Sequence, residues 1–252
     1  MKILGIGNAI VDVICKVEDD FITKNNLTKS TMKLIFDDKE FKNLLSNLKI
    51  EKTVSGGSVA NSIVGLSQLG NEVGFIGKVN DDDLGGKYED GLKQENVKYI
   101  YSKKKEELPT GTCLILVTPD SERTMCTFLG TAGKINESDV SSDAIKQCET
   151  ILLEGYLWDE GEPKKAFEKA IQSANKVAMS LSDQFCVDRH KPHFLELVKK
   201  KLDITFANEQ EIMSLIDAKS FDEVINFSKS LGKIIVLTRG EKVLLLSMEM
   251  KL

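Results

Sequence analysis

The stretch Ser55-Gly56-Gly57-Ser58-Val59-Ala60-Asn61-Ser62 places two adjacent glycines directly before an apolar segment. Because glycine has no Cβ, the backbone at this point can approach a ligand that any other residue would block. Ser58 can cap a helix predicted over residues 59–69, which ends at Gly70. Asn61 then lies in the first turn of that helix, where its amide can bond a ligand hydroxyl. On these residues alone, an ordinary loop-to-helix junction remains an alternative interpretation.

Hydrophobic patterning predicts an α/β protein around this stretch. Apolar runs of strand length alternate with amphipathic segments of helix length, which is typical of a doubly wound parallel sheet. The predicted strands cover residues 2–6, 73–76, 150–153, 176–181, 204–207 and 233–237, and the later predicted helices cover residues 162–174, 187–201 and 221–231. Residues 11–17 and 32–36 alternate apolar and polar side chains, which favours a separate, half-exposed sheet. Residues 112–118 and 124–128 flank a turn-rich connection typical of a hairpin.

The wider order of motifs resembles a known family. Gly-Gly-x-x-x-Asn, a helix ending at Gly70, a strand and Gly77-Lys78-Val79-Asn80-Asp81-Asp82-Asp83-Leu84-Gly85 resemble the ribokinase-like PfkB family of carbohydrate and nucleoside kinases, from residue 3 to about residue 242. The resemblance implies a ribokinase-like, doubly wound, mostly parallel sheet with a small β-sheet lid. It further implies that residues 1–252 form one kinase domain. The lid strands are then expected at about 11–17, 31–36 and within 96–129.

The same resemblance assigns the acceptor site. Asp12 matches the carboxylate that holds two vicinal hydroxyls of the sugar, and Gly56, Gly57 and Asn61 match the turn that holds the ribose-like part. A solvated strand residue is the alternative interpretation of Asp12. A dinucleotide-binding Gly-x-Gly-x-x-Gly is disfavoured, because Ile10 stands at the third glycine position and another strand is predicted to follow.

Two further motifs follow predicted strands. Asn208 and Glu211 reproduce an Asn-x-x-Glu motif, in which the resemblance implies that the Asn approaches the ATP phosphates and the Glu acts on Mg²⁺ through water. Thr238 and Gly240 resemble a Thr-x-Gly nucleotide-binding stretch. An N-cap Asn followed by acidic residues in a helix's first turn is the alternative for the first motif, and both interpretations can hold together.

The family activity is transfer of phosphate from ATP, with Mg²⁺, to a primary hydroxyl of a sugar or nucleoside. Residues 154–158 and 181–189 look most like the adenosine-kinase-like branch, so adenosine is favoured. Ribose, fructose and fructose phosphates remain open. A phosphorylated acceptor would require basic groups near the pocket, and the chain has only three arginines.

The family's second signature, Asp-Thr-x-Gly-Ala-Gly-Asp, supplies an anion hole and the catalytic base. No stretch of residues 1–252 matches it, so we expect the catalytic Asp beyond residue 252, an incomplete fold and an inactive chain. Residues 243–252 also depart from the family pattern, and a frameshift after the adenine-rich codons of Glu241 and Lys242 would explain them. The alternatives are a non-catalytic sugar or nucleoside binder, and a remnant without function.

Composition excludes several other classes. A formal net charge of −5 disfavours a nucleic-acid surface. Five scattered cysteines lack metal-ligand spacing and indicate reduced thiols in a cytoplasmic protein. Two histidines make a His-based zinc site or a Ser-His-Asp triad improbable, and Asn8 and Asp12 interrupt the apolar start, which disfavours a signal peptide or membrane span. The lid sheet allows a homodimer, as in some relatives.

Overall fold

The computed structural model describes residues 1–158 and 161–241 in full and the backbone of residues 244–247. The rest of the predicted atypical tail, residues 243 and 248–252, lies outside the described residues. Within the described part, no helix combines the length and the apolar character that crossing a bilayer requires.

The elements alternate along the chain as the patterning predicts. The strands are β1 Ile3–Ile6, β2 Ile10–Lys16, β3 Met32–Leu34, β4 Ile50–Gly56, β5 Val73–Ile76, β6 Lys98–Tyr99, β7 Gly111–Val117, β8 Arg123–Phe128, β9 Thr150–Glu154, β10 Val177–Ser180, β11 Ile204–Asn208, β12 Ile234–Thr238 and β13 Leu244–Ser247. The helices are α1 Asp19–Lys24, α2 Asp38–Ser46, α3 Ser58–Gln68, α4 Asp83–Gln94, α5 Ser142–Lys146, α6 Glu162–Ser173, α7 Gln184–Lys200, α8 Glu209–Ile216 and α9 Phe221–Ser230, with short 3-10 turns at Ala132–Lys134, Glu137–Asp139 and Gly155–Leu157.

The main sheet has the strand order β13-β12-β11-β10-β9-β1-β5-β6. Its pairings are parallel from β12 to β6, and β13 runs antiparallel to β12. The chain leaves β1 toward β5 on one side and returns to β9 on the other. This reversal makes the carboxyl ends of β1 and β9 a topological switch point, where open α/β sheets bind ligands.

A second sheet has the order β3-β8-β7-β2-β4. Its strands β2 and β4 join directly to β1 and α3, so it lies beside the carboxyl ends of the main-sheet strands. One hydrophobic core packs around Phe167 and Phe194 on one face of the main sheet. Another core contains Phe75 and Tyr88 and continues to Leu114 of the second sheet, which fixes the two sheets against each other.

The predicted α/β class with a doubly wound, mostly parallel sheet and a small second sheet is confirmed. The strands predicted after residue 145 lie within two residues of their observed bounds. Strand β4 and helices α1, α2 and α4 were not predicted, because charged side chains interrupt their apolar patterns. Helix α7 begins earlier than predicted, at Gln184, and has a non-helical residue, His190, ahead of Pro192.

Candidate functional site: a cavity between the two sheets

A cavity of about 310 Å³ lies between the switch point of the main sheet and the inner face of the second sheet. Both sheets, the first turn of α3 and the first turns of α7 contribute to its walls. The lining residues are Asn8, Ile10, Asp12, Met32, Leu34, Gly57, Ser58, Asn61, Cys113, Met125, Thr127, Leu129, Glu154, Tyr156, Asp183, Phe185, Cys186 and Arg189. The structure therefore brings Asp12, Gly57 and Asn61 to one cavity, with Gly56 directly behind Asp12.

The glycine turn is built for close backbone approach. Gly57 has a backbone φ of +105°, which residues with a side chain rarely adopt. A Cβ at this position would lie 2.3 Å from the carbonyl oxygen of Asn8. A Cβ on Gly56 would lie 2.3 Å from Oδ2 of Asp12. Gly57 is therefore required by a backbone contact inside the protein, whereas a side chain at Gly56 would displace the Asp12 carboxylate.

The prediction that Ser58 caps α3 is wrong. Gly57 occupies the N-cap position, the helix starts at Ser58, and no side chain caps it. The Ser58 hydroxyl instead donates to Oε2 of Glu154, at 2.5 Å. The Ser58 hydroxyl therefore bonds to a carboxylate on another strand and does not cap its own helix, because a carboxylate is the stronger, charge-assisted acceptor.

Asp12 is a partly buried carboxylate in strand β2. Burial raises the pKa of Asp12 to about 6, because leaving water disfavours the ionised form. Within the described residues, no side chain or backbone group donates a hydrogen bond to it, so its oxygens are available to a ligand in the cavity. Asn61 is exposed, and its backbone N–H donates to the Gly57 carbonyl oxygen at 2.9 Å.

Glu154 is the most buried acid of the cavity, at 1% exposure, and no sequence motif assigned it a role. Its Oε1 accepts from the backbone N and from Nδ2 of Asn8, at 2.8 and 2.7 Å. Its Oε2 accepts from Ser58 Oγ and, at 3.3 Å, from the backbone N of Val59. Burial raises the pKa of Glu154, and these hydrogen bonds oppose the rise. The sequence offered one signal for a role of Glu154 in the site: it is the last residue of a parallel strand, where such sheets bind ligands.

Part of the cavity lining is apolar and aromatic. Tyr156 and Phe185 contact each other with ring centroids 5.9 Å apart, and the Arg189 guanidinium carbon lies 5.6 Å from the Phe185 ring centre. The second sheet and its neighbouring segments add further apolar side chains to the lining, those of Ile10, Met32, Leu34, Met125 and Leu129. These wall residues come from segments far apart in the chain, so their grouping could not be read from the sequence.

The Asn-x-x-Glu motif forms a reciprocal cap at the start of α8. Glu211 N donates to Asn208 Oδ1 at 2.8 Å, while Asn208 N and Nδ2 donate to the Glu211 carboxylate at 3.0 and 2.7 Å. The structure therefore contains the helix cap that was the alternative interpretation of Asn208 and Glu211. Burial raises the pKa of Glu211, and the nearby Asp183 carboxylate adds to the rise while the Asn208 hydrogen bond lowers it.

A second, smaller cavity of about 250 Å³ lies at the carboxyl ends of β10, β11 and β12. Asn208, Glu211 and Thr238 line it, together with Ser180 and Phe206. Gly240 follows with φ +57°, and no atom would meet a Cβ there within 4 Å. The sequence-predicted nucleotide residues thus lie at this second cavity and nearby, apart from the first cavity but on the same edge of the sheet.

No group of three or more His, Cys, Asp or Glu side chains in the described part of the chain could hold a metal ion directly. A metal at the second cavity would therefore depend on Glu211 alone among acids, with water filling its other positions. Hydrated Mg²⁺ suits such a site.

Comparison with known proteins agrees with this geometry. A family model described as pfkB family carbohydrate kinase matches residues 22–249. The crystal structure of an adenosine kinase from Sinorhizobium meliloti superposes with a TM-score of 0.88 at 34% identity, over 99% of this chain and 78% of that one.

Two curated relatives match over shorter shares of their length. A 5-dehydro-2-deoxygluconokinase of Mesomycoplasma hyopneumoniae is 27% identical over 62% of this chain and 45% of its own. The guanosine-inosine kinase of Escherichia coli is 24% identical over 84% of this chain and 52% of its own. The chain thus spans about half the length of these two relatives.

Proposed function

The chain belongs to the pfkB family of carbohydrate kinases, and from this premise we propose that its central cavity binds a nucleoside, with adenosine favoured, as the acceptor of phosphate from ATP. The observation that carries the proposal is the Asp12 carboxylate. It is partly buried, receives no hydrogen bond from the described residues and lies beside a glycine turn at the sheet's switch point. A vicinal diol can donate to both of its oxygens.

At the ribose end, the chain offers complementary groups. Asp12 accepts from the two ring hydroxyls, the Gly57 backbone lets the sugar come close, and the exposed Asn61 amide bonds a further hydroxyl. The Asn8 Oδ1 atom is buried without a partner, and Asn8 also lines the cavity. A buried acceptor without a donor is unfavourable, so a ligand donor at this point would satisfy it.

At the other end, the walls favour a flat, uncharged group. Tyr156 and Phe185 can contact the face of a purine, and the apolar side chains of the second sheet can cover its other face. The ionisable side chains lining the cavity include three carboxylates, Asp12, Glu154 and Asp183, and a single guanidinium. A sugar phosphate would meet net repulsion there, whereas a neutral nucleoside would not.

We place the donor at the second cavity. Thr238, Gly240 and Asn208 would contact the ATP phosphates, and Glu211 would reach Mg²⁺ through water. When bound, ATP supplies the phosphoryl group and Mg²⁺ offsets charge on its phosphates. Both Glu211 oxygens already accept hydrogen bonds from Asn208, which favours contact with the metal through water over direct coordination.

Residues 1–252 contain no match to the signature that carries the family's catalytic Asp and anion hole. We therefore propose that a polypeptide of these residues binds the acceptor without transferring phosphate. This makes nucleoside sensing the alternative to catalysis.

The second sheet is proposed to act as the lid over the bound nucleoside. Its edge strands β3 and β4 have no further partner in the described residues, and Phe36, just beyond β3, is 85% exposed. We propose this sheet as the surface of any homodimer. None of the five cysteines forms a disulfide within the described residues and all five are buried, which supports a reducing, cytoplasmic location.

The proposal is tested by thermal unfolding of the 252-residue chain with adenosine, guanosine, ribose or fructose 6-phosphate present. A ligand at 100 times its Kd stabilises the native state by about 2.7 kcal/mol, which raises the Tm of a chain of this size by several degrees. We expect a nucleoside to raise the Tm most and fructose 6-phosphate to leave it unchanged. A shift with fructose 6-phosphate alone would overturn the assignment. Phosphate transfer in a parallel ATP assay would overturn the proposed inactivity.

A further inference from the structure

We propose that Glu154 is a positioning residue, which holds Asn8 and the first turn of α3 in the geometry that the acceptor requires. The inference rests on the proposed function of the cavity. Glu154 lies at the end of β9, and its carboxylate links two other segments, the loop after β1 and the start of α3. It therefore fastens together the three elements that meet at the switch point.

The two carboxylate oxygens serve different segments. Oε1 accepts both hydrogen bonds from Asn8, and Oε2 accepts those of Ser58 and Val59. A Cβ added to Gly7 would lie 2.9 Å from Oε2, so the loop after β1 is also packed against this carboxylate. The four donors are neutral groups, and within the described residues no Lys or Arg pairs with Glu154. Charge-assisted hydrogen bonds are about twice as strong as neutral ones, which makes this link firm.

The segments that Glu154 holds are those that carry the acceptor site. The Asn8 carbonyl oxygen lies 2.3 Å from the position that a Cβ of Gly57 would take, so Asn8 and Gly57 are packed against each other. Asn61 N donates to the Gly57 carbonyl oxygen, which ties Asn61 to the same turn. A shift of Asn8 or of Ser58 would therefore displace both the glycine turn and Asn61. Nothing on the ligand side needs to touch Glu154 for this effect.

The test uses Glu154→Gln and Glu154→Ala in the 252-residue chain, with Glu149→Gln as the control. Glu149 is exposed and lies immediately before β9. In the Gln variant, the amide oxygen can keep both Asn8 hydrogen bonds, but the NH₂ group replaces Oε2 and leaves Val59 N without an acceptor. The Ala variant loses the acceptors of both segments.

Amide hydrogen exchange measures the loss of these hydrogen bonds without any ligand. We expect Glu154→Gln to speed exchange about tenfold at Val59 with little change at Asn8, and Glu154→Ala to speed exchange at both, because each amide exchanges faster once it loses its acceptor. Amides of α7 and β11 should be unchanged, and Glu149→Gln should match the wild type. Calorimetry should show adenosine affinity falling about tenfold in Glu154→Gln.

Two results would overturn the inference. Unchanged exchange at Val59 and Asn8 in the Ala variant would show that Glu154 does not hold these segments. Faster exchange throughout the chain would show only a structural role. If the wild type binds no nucleoside while the local exchange differences persist, the proposed function fails and the positioning of the two segments by Glu154 is supported.

Discussion

A Cβ on Gly56 of strand β4 would lie 2.3 Å from Oδ2 of Asp12, which stands on the paired strand β2 two residues beyond the position opposite Gly56. The absence of a side chain at Gly56 therefore sets where the Asp12 carboxylate lies. A Cβ on Gly56 would meet the end of the Asp12 side chain, which can rotate away. A side chain at Gly56 is therefore expected to disturb the site more than the fold.

Gly56→Ala is expected to lower adenosine affinity at least tenfold while leaving the protein folded, because the new Cβ displaces the carboxylate that holds the ribose. Calorimetric titration and urea unfolding measure the two effects. Gly65→Ala is the matched control, since Gly65 lies inside α3 with open space around it. That substitution should raise stability by about 0.5–1 kcal/mol without altering affinity. Unchanged affinity in Gly56→Ala would contradict the arrangement.

Gly57→Ala should act mainly on stability. Its φ of +105° strains any other residue, and the Cβ would meet a backbone oxygen that cannot rotate away. Strain of this kind costs on the order of 1–3 kcal/mol, and the contact with Asn8 adds to it. Urea unfolding should therefore show a larger loss than for Gly56→Ala. Equal stability of the two variants would be inconsistent with the structure.

The pH dependence of binding follows from Asp12. Because its pKa is raised to about 6, the carboxylate that accepts the ribose hydroxyls is lost as the pH falls through about 6. Adenosine affinity should be about tenfold lower at pH 5 than at pH 7. Titrations across this range measure the change, and affinity that stays constant would exclude an ionised Asp12 as the acceptor.

The same shift has the opposite sign for stability without ligand. A carboxyl group with a raised pKa binds its proton more tightly in the native state, so its stabilising contribution is present at low pH and is lost as the pH rises through about 6. Asp12→Asn should therefore be more stable than the wild type at pH 8, by about 1–3 kcal/mol, and should bind adenosine poorly. A less stable variant at pH 8 would show that Asp12 has a stabilising partner.

The capping pair Asn208–Glu211 gives a separate prediction for the donor site. Asn208→Ala should cost about 1–2 kcal/mol in urea unfolding, because α8 loses its cap and the Glu211 carboxylate loses a donor. It should also reduce stabilisation by ATP with Mg²⁺. Ser220→Ala removes the N-cap of α9 and is the control for stability alone. Equal effects of ATP on both variants would remove Asn208 from the donor site.

The main sheet and the glycine turn were predictable because their determinants are local. The alternation of apolar runs and helical segments identified β9 to β12, and the two glycines located the turn before α3. Glu154 was not predictable, because its partner Ser58 is 96 residues away and only the fold brings them together. The cap of α3 was mispredicted for the same reason. The raised pKa of Asp12 likewise depends on burial in the folded protein, which the residues next to Asp12 in the sequence do not determine.

The most direct test compares adenosine with 2′-deoxyadenosine by calorimetric titration of the wild-type chain and of Asp12→Asn at pH 7.5. If Asp12 holds both vicinal hydroxyls, removal of one should weaken binding to the wild type about tenfold or more, as expected for a hydrogen bond to a charged group. The Asp12→Asn variant should bind both compounds weakly and to a similar extent. Equal binding of the two nucleosides by the wild type, or no binding of either, would contradict the assignment of this cavity.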